Sequence, residues 1–128
     1  MDLEPNSSAG LPFTMTPTLK STTLFFSASR LVYGPGGEID NLGNTIGSGV
    51  PPQNRPSRNY FTGRSDNFDP NQTSGDTKDA RLDSEGIRVS NDGQFVYSSD
   101  EYGPYVNEFL RATGQRVRSF RLDRKSVV

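Results

Sequence analysis

Between residues 81 and 122, short apolar runs alternate with glycine-closed turns, and that spacing constrains the fold more than any other feature of the chain. EGIRVS places Ile87 and Val89 on either side of Arg88, the pattern of a short half-buried strand. SNDG, residues 90–93, supplies the Asn-Asp-Gly signal of a tight hairpin turn. QFVYSS reads as a second strand centred on Phe95, Val96 and Tyr97, and DEYGP as a loop. YVNEFL is a third strand, RATG a second turn, and QRVRSFRL a fourth strand. In that last run Val117, Phe120 and Leu122 are interspersed with Arg116, Arg118 and Arg121, as in a strand wet on one side. Four short strands with tight connections make an antiparallel meander, the unit from which propeller blades are built. The 81–122 segment has the length of one blade, about 40 to 50 residues.

Nothing else in the chain fits a blade as well. Around Phe13, Met15, Leu24, Phe25 and Phe26, threonines and aromatics read as two or three strands, with a break expected at Pro17. Residues 34–80 are dense in Gly, Pro, Asn and Ser and sustain no period, so a long irregular loop is expected there. With 13 glycines, 9 prolines and only 30% hydrophobic residues, much of the chain must be loop. The expected fold is all-β: a partial β-propeller-like antiparallel meander, about two blades' worth of strands, in one domain over 11–122. Residues 1–10 are expected as a disordered tail and 123–128 as a C-terminal tail.

The 14 basic and 15 acidic residues nearly balance, which argues against general nucleic-acid binding. Arg111, Arg116, Arg118, Arg121, Arg124 and Lys125 face only Asp123 near the C-terminus, and read as wet strand faces and a solvated tail. The chain has no cysteine and no histidine. That removes disulfides, thiol nucleophiles, the Ser-His-Asp triad and histidine-based zinc sites together. Any hydrolytic chemistry must use carboxylates, Tyr, Lys or a metal-activated water. The N-terminus lacks the basic and apolar regions of a secretory signal, and no run approaches a membrane span, so no membrane partner is expected. Sequons stand at Asn6 and Asn71.

The acids of the 81–122 segment concentrate at two points. Asp83 and Glu85 stand at the start of the first strand, and Asp100 and Glu101 at the end of the second. In an up-down-up-down meander those points share one end of the sheet, so four carboxylates become neighbours. Clustered carboxylates repel one another unless a cation sits among them. Calcium takes six to eight oxygens of this kind, and a cation there could hold a phosphate or activate water. Glu85 and Asp100 stand out because each abuts a strand expected to be buried. The alternative is structural: Asp83 caps a turn, Asp100 makes an Asx-turn, and Arg81 or Arg88 neutralises the rest. SDNFDPNQTSGDTKD is not an EF-hand, because Ser74 and Ala80 stand where Gly and Glu are required; a looser cation loop would draw on Asp66, Asp69, Asp76 or Asp79. GPGG, residues 34–37, lacks the ending of a phosphate loop. Tyr102 either lines a pocket, or donates to an oxyanion there, or packs on the sheet edge.

RNYFTGRSDNFDP, followed by DARLDSEGIRVSNDGQFVYSSDEYGPYVNEFLRATGQRVRSF, resembles the phytase-like family, also called the "esterase-like activity of phytase" domain. The likeness rests on D-x-E-G-I-R-V-S-x-D-G joined to S-D-E-Y-G-P-Y and F-x-R-A-T-G, and spans roughly residues 59–122. Ser98 is a local departure, since the family tends to have an apolar or β-branched residue before the serine. The resemblance implies a propeller-like, usually extracellular protein that hydrolyses phosphorylated or ester small molecules. It places the acidic motif on Asp83, Glu85, Asp100 and Glu101 as metal ligands, with Glu85, Asp100 and Glu101 as the catalytic carboxylates and calcium as the cofactor. The same stretch is similar to NHL-type blades, which bind partners and do no chemistry. A propeller closes with 4 to 8 blades, and 128 residues hold about three at most. The expectation is a segment that needs missing blades or self-association, inactive and marginally stable alone.

Overall fold

The computed structural model of the chain describes residues 2–5, 15–34, 38–39, 45–46 and 49–122, with side chains over 16–34 and 49–122. The strands are β1 (Asp2–Pro5), β2 (Met15–Thr18), β3 (Phe26–Ser27), β4 (Glu38–Ile39), β5 (Thr45–Ile46), β6 (Asn59–Tyr60), β7 (Ser84–Val89), β8 (Phe95–Asp100), β9 (Tyr105–Leu110) and β10 (Arg116–Arg121). No helix occurs among the described residues, and each strand pairs antiparallel with its neighbour. β7 to β10 form one sheet in the order β10-β9-β8-β7, the expected meander, and the other strands form pairs. The fold is all-β, and no ring of blades closes among the described residues.

Turn chemistry fixes the meander. Gly93 takes φ +72° at the end of SNDG, a conformation glycine adopts without strain. Asp92 Oδ1 accepts the Ser90 hydroxyl at 2.5 Å and the Gln94 N–H at 3.0 Å, while Ser90 Oγ accepts the Phe95 N–H at 2.9 Å. These bonds, the Ser90 hydroxyl first, hold the Asp92 carboxyl below its ordinary range. The one acid at this end of the sheet is therefore absorbed by its turn.

Alternation then sorts the faces. Val96, Ser98 and Asp100 of β8 are buried with Tyr105, Asn107 and Phe109 of β9. Phe109 is fully buried, stacked on Phe25 at 3.9 Å and met edge-on by Phe61 at 5.8 Å. A small core of Leu31, Tyr33 and Ala80, with Val50 and Phe61 against it, sits under the 49–82 loop. That loop is irregular yet pinned. Val32 and Lys78, Ala80 and Val32, Thr62 and Ala80, and Leu82 and Thr62 are joined by backbone bonds of 2.8–2.9 Å. On the opposite face of the meander, Glu108 is buried between the Tyr97 hydroxyl and the Arg118 guanidinium. Those donors, Arg118 first, hold its carboxyl low despite burial. Ser98 is fully buried, and its hydroxyl is satisfied there by that of Ser84 at 2.7 Å.

Three expectations need correction. β7 is exposed along its whole length instead of half-buried, because it is an outer strand of the sheet and contacts only β8 among the described strands. Residues 2–5, expected as tail, pair with β2. Pro17 does not break the chain: it lies within β2, opposite Leu3. A two-stranded pair is all edge, where a missing N–H can face solvent. Phe13, Asn6, residues 35–37 and the 123–128 tail lie outside the described residues.

Candidate metal centre

Two chain segments meet at the mouth of the β7–β8 hairpin. The Glu101 N–H donates to the Asp83 carbonyl at 3.0 Å, and the Asp83 N–H donates to Asp100 Oδ1 at 3.1 Å. Glu85 arrives by a different device. The register runs from Ser84 opposite Asp100 to Gly86 opposite Ser99, so Glu85 is the extra residue of a β-bulge. A bulge re-aims the side chain it carries. One carboxylate oxygen from each of Asp83, Glu85 and Glu101 then lies within 4.8 Å of the others. No other such acidic group occurs among the described residues.

Electrostatics agree with the geometry. The Glu101 carboxyl is held above its ordinary value, first by the charge of Glu85 and then by that of Asp83. Burial, and next the charge of Asp83, raises the Tyr102 hydroxyl. Arg81 does not neutralise the trio. Its guanidinium lies over the Phe68 ring at 4.3 Å and the Tyr102 ring at 5.3 Å, and pairs with Asp79 at 3.8 Å.

Asp100 does not join the other three acids. It is the last residue of β8 on the buried face, and its Oδ1 accepts the N–H groups of Asp83 and Tyr102, both at 3.1 Å. The second bond is the Asx-turn. Burial raises its carboxyl against the pull of those donors. Next to it, burial and then the charges of Asp100 and Asp79 push the Tyr105 hydroxyl up to about 12. Asp100 thus ties together the segments bearing Asp83 and Glu101, and the carboxylates that converge are those of Asp83, Glu85 and Glu101.

The loop acids are each occupied locally. Asp66 pairs with Arg64 at 2.6 Å, Asp69 accepts the Asn71 N–H, and Asp76 accepts the Lys78 N–H. Asp79 accepts the Asp69 N–H. They form turns, and the looser cation loop does not assemble.

A cleft of about 1020 Å³ opens beside the trio, lined by Ser74, Glu101, Tyr102, Gly103, Pro104, Arg121 and Leu122. Tyr102 lines it, as one of the sequence readings had it. The sequence sets Arg121 among the solvated arginines, yet its guanidinium lies against Gly75, where an added Cβ would come within 3.1 Å. It makes no ion pair among the described residues. No sequence signal pairs Arg121 with the 74–75 loop, because the two meet only through tertiary packing. Comparison with protein-family models, curated proteins and solved structures finds no match for this chain.

Proposed function

We propose that the chain is a segment of a phytase-like, metal-dependent hydrolase of phosphoesters or esters, in which Asp83, Glu85 and Glu101 hold a divalent cation. The convergence of the three carboxylates within 4.8 Å carries this reading. Such a set fits a hard cation: it is all oxygen, it is anionic, and the repulsion within it is relieved when a cation enters. Three carboxylates leave room in a calcium shell for water, backbone or a substrate oxygen. When bound, the cation supplies Lewis-acid activation of a phosphoryl or acyl oxygen. Asp83, Glu85 and Glu101 bind it, Asp100 positions Asp83 and Glu101, and Arg121 offers a guanidinium to an anionic group across the cleft. The chain alone is expected to turn over little or no substrate, since the remaining groups would come from further blades. Calcium is the first cation to test.

Calcium at a hundredfold excess over its Kd should stabilise the chain by about 2.7 kcal/mol through mass action, read as a higher Tm by far-ultraviolet circular dichroism. Glu85→Gln should abolish the shift. An unchanged Tm in calcium, magnesium and manganese alike would end the cation reading.

The pH dependence has a definite sign. Glu101 is raised in the folded chain, so the native state holds that proton more tightly than the unfolded state. Its contribution to stability without cation falls as pH climbs through the raised value. The proton and the cation compete, so the calcium-induced shift should grow over the same window and vanish below it. By carboxyl NMR, Glu101 should fall back towards the ordinary glutamate range in Glu85→Gln, whose neutral amide removes the largest cause.

A second reading, a non-catalytic NHL-like binding segment, is favoured by one observation, the fully exposed strand β7. It stands if the chain binds no cation.

A further inference from the structure

Among the described residues, no strand pairs with the outer edge of β7. All of its residues are exposed, Ile87 at 59% and Val89 at 53%. The Ser90 N–H donates to the Phe95 carbonyl at 3.0 Å, which makes 90 and 95 a hydrogen-bonded pair. Such pairs alternate along an antiparallel ladder. The backbone N–H and C=O groups of Ile87 and Val89 therefore point away from β8. The faces follow from the register: Ile87 stands opposite Ser98 on the core side, while Arg88 opposite Tyr97 and Gly86 opposite Ser99 lie on the other side. Glu85 lines a shallow groove with Gly86, Arg88, Tyr97 and Ser99.

We propose that this edge is the seam of a homodimer, in which β7 of a second copy pairs antiparallel about a two-fold axis through Ile87. The strand complements itself in that register. Ile87 meets its own symmetry mate on the core side, covering two half-exposed side chains. On the other face Arg88 falls opposite Gly86 of the second copy, where no side chain obstructs it, and beside the second copy's Glu85. Symmetry makes each Glu85–Arg88 contact twice. The neighbouring register, centred on Arg88, would set the two arginines against each other, and like charges directly opposite destabilise a sheet. Joining β7 to β10 of another copy would instead set Arg88 on the face that bears Arg118, whose partner Glu108 is already taken, so no free carboxylate would meet it. Charge therefore selects the closed dimer over an open ladder. A seam of one short strand lies below the usual size of a stable interface, so the dimer forms in a concentration-dependent way. This inference does not rest on the cation site, with which it shares only Glu85.

Sedimentation of the full chain in chelator tests it. The mass should rise from 14.1 kDa towards twice that value as concentration increases. Ile87→Pro removes an N–H that β8 does not use, so the variant should keep its circular dichroism spectrum and remain monomeric. Arg88→Glu should also be monomeric, and the exchange Glu85→Arg with Arg88→Glu should restore the dimer. If Ile87→Pro fails to fold, the charge exchange decides. A monomer at every concentration, a dimer indifferent to these changes, or masses growing beyond the dimer would overturn the proposal.

Discussion

Phe109→Ala is expected to remove about 3–5 kcal/mol of stability, the range for truncating a fully buried aromatic. That is a large part of the 5–15 kcal/mol available to an ordinary domain. The ring is the contact between the meander and the segments that cover it: Phe25 stacks on one face at 3.9 Å and Phe61 meets it edge-on. Its removal takes away the ring on which Phe25 stacks and opens a void where the two units join. Urea unfolding should show a lower midpoint with the slope retained. Val117→Ala, at a position 48% exposed, should change stability by less than about 0.5 kcal/mol. If the two variants unfold alike, the Phe25–Phe109–Phe61 cluster does not hold the chain together.

The meander could be read from sequence because its signals are local. Asn91-Asp92-Gly93 and Gly114 name their own turns, and the strands between them alternate as a two-sided sheet requires. The gathering of acids at one end followed from strand direction alone. Which acids gather did not. Asp100 and Glu101 are consecutive, so if one lies on the buried face of β8 the other projects elsewhere. The two therefore cannot act as one acidic pair. Glu85 reaches the rim through a one-residue bulge that no residue type in SEGIRV announces. Exposure of β7 was also hidden, since Ile87 and Val89 read the same on an inner strand as on an outer one. The 34–80 region is legible as irregular but not as anchored. Its anchors are long-range backbone bonds between 31–33, 60–62 and 78–82, and composition carries no information about such pairings.

The division among the acids also explains how a solvent-facing trio can have defined geometry. Three carboxylates on a hairpin mouth, two of them exposed, would ordinarily spread apart. Here the Asp83 and Tyr102 amides share one acceptor, Asp100 Oδ1, and Asp83 and Glu101 are joined by a further backbone bond. The buried acid fixes the backbone, and the backbone holds the exposed acids together. Within the one motif Asp100 takes a structural part, its Asx-turn, while Asp83, Glu85 and Glu101 form the group that could hold a cation.

Gly114→Ala should be at least as damaging as the loss of the Phe109 ring, by a different route. Gly114 has φ +79°, so a side chain there incurs about 1–3 kcal/mol of backbone strain. The larger effect is steric. An added Cβ would lie 2.1 Å from the Leu24 carbonyl oxygen and 3.0 Å from Thr23 Cγ2, and backbone cannot swing aside as a long side chain can. The 23–26 segment must back away, which breaks the 3.0 Å bond from the Phe26 N–H to the Gly114 carbonyl and draws Phe25 off Phe109. Gly93→Ala is the matched control. It has a similar φ of +72°, but the nearest atom to its Cβ would be the tip of Arg111 at 3.5 Å, so it incurs the strain alone. Urea midpoints should rank wild type first, then Gly93→Ala, with Gly114→Ala far below. Because Gly114→Ala already dislodges Phe25, combining it with Phe109→Ala should cost less than the two losses added, the mark of residues that share a contact. Equal losses in the two glycine variants, or strict additivity with Phe109→Ala, would mean that the 23–26 segment does not dock on the RATG turn.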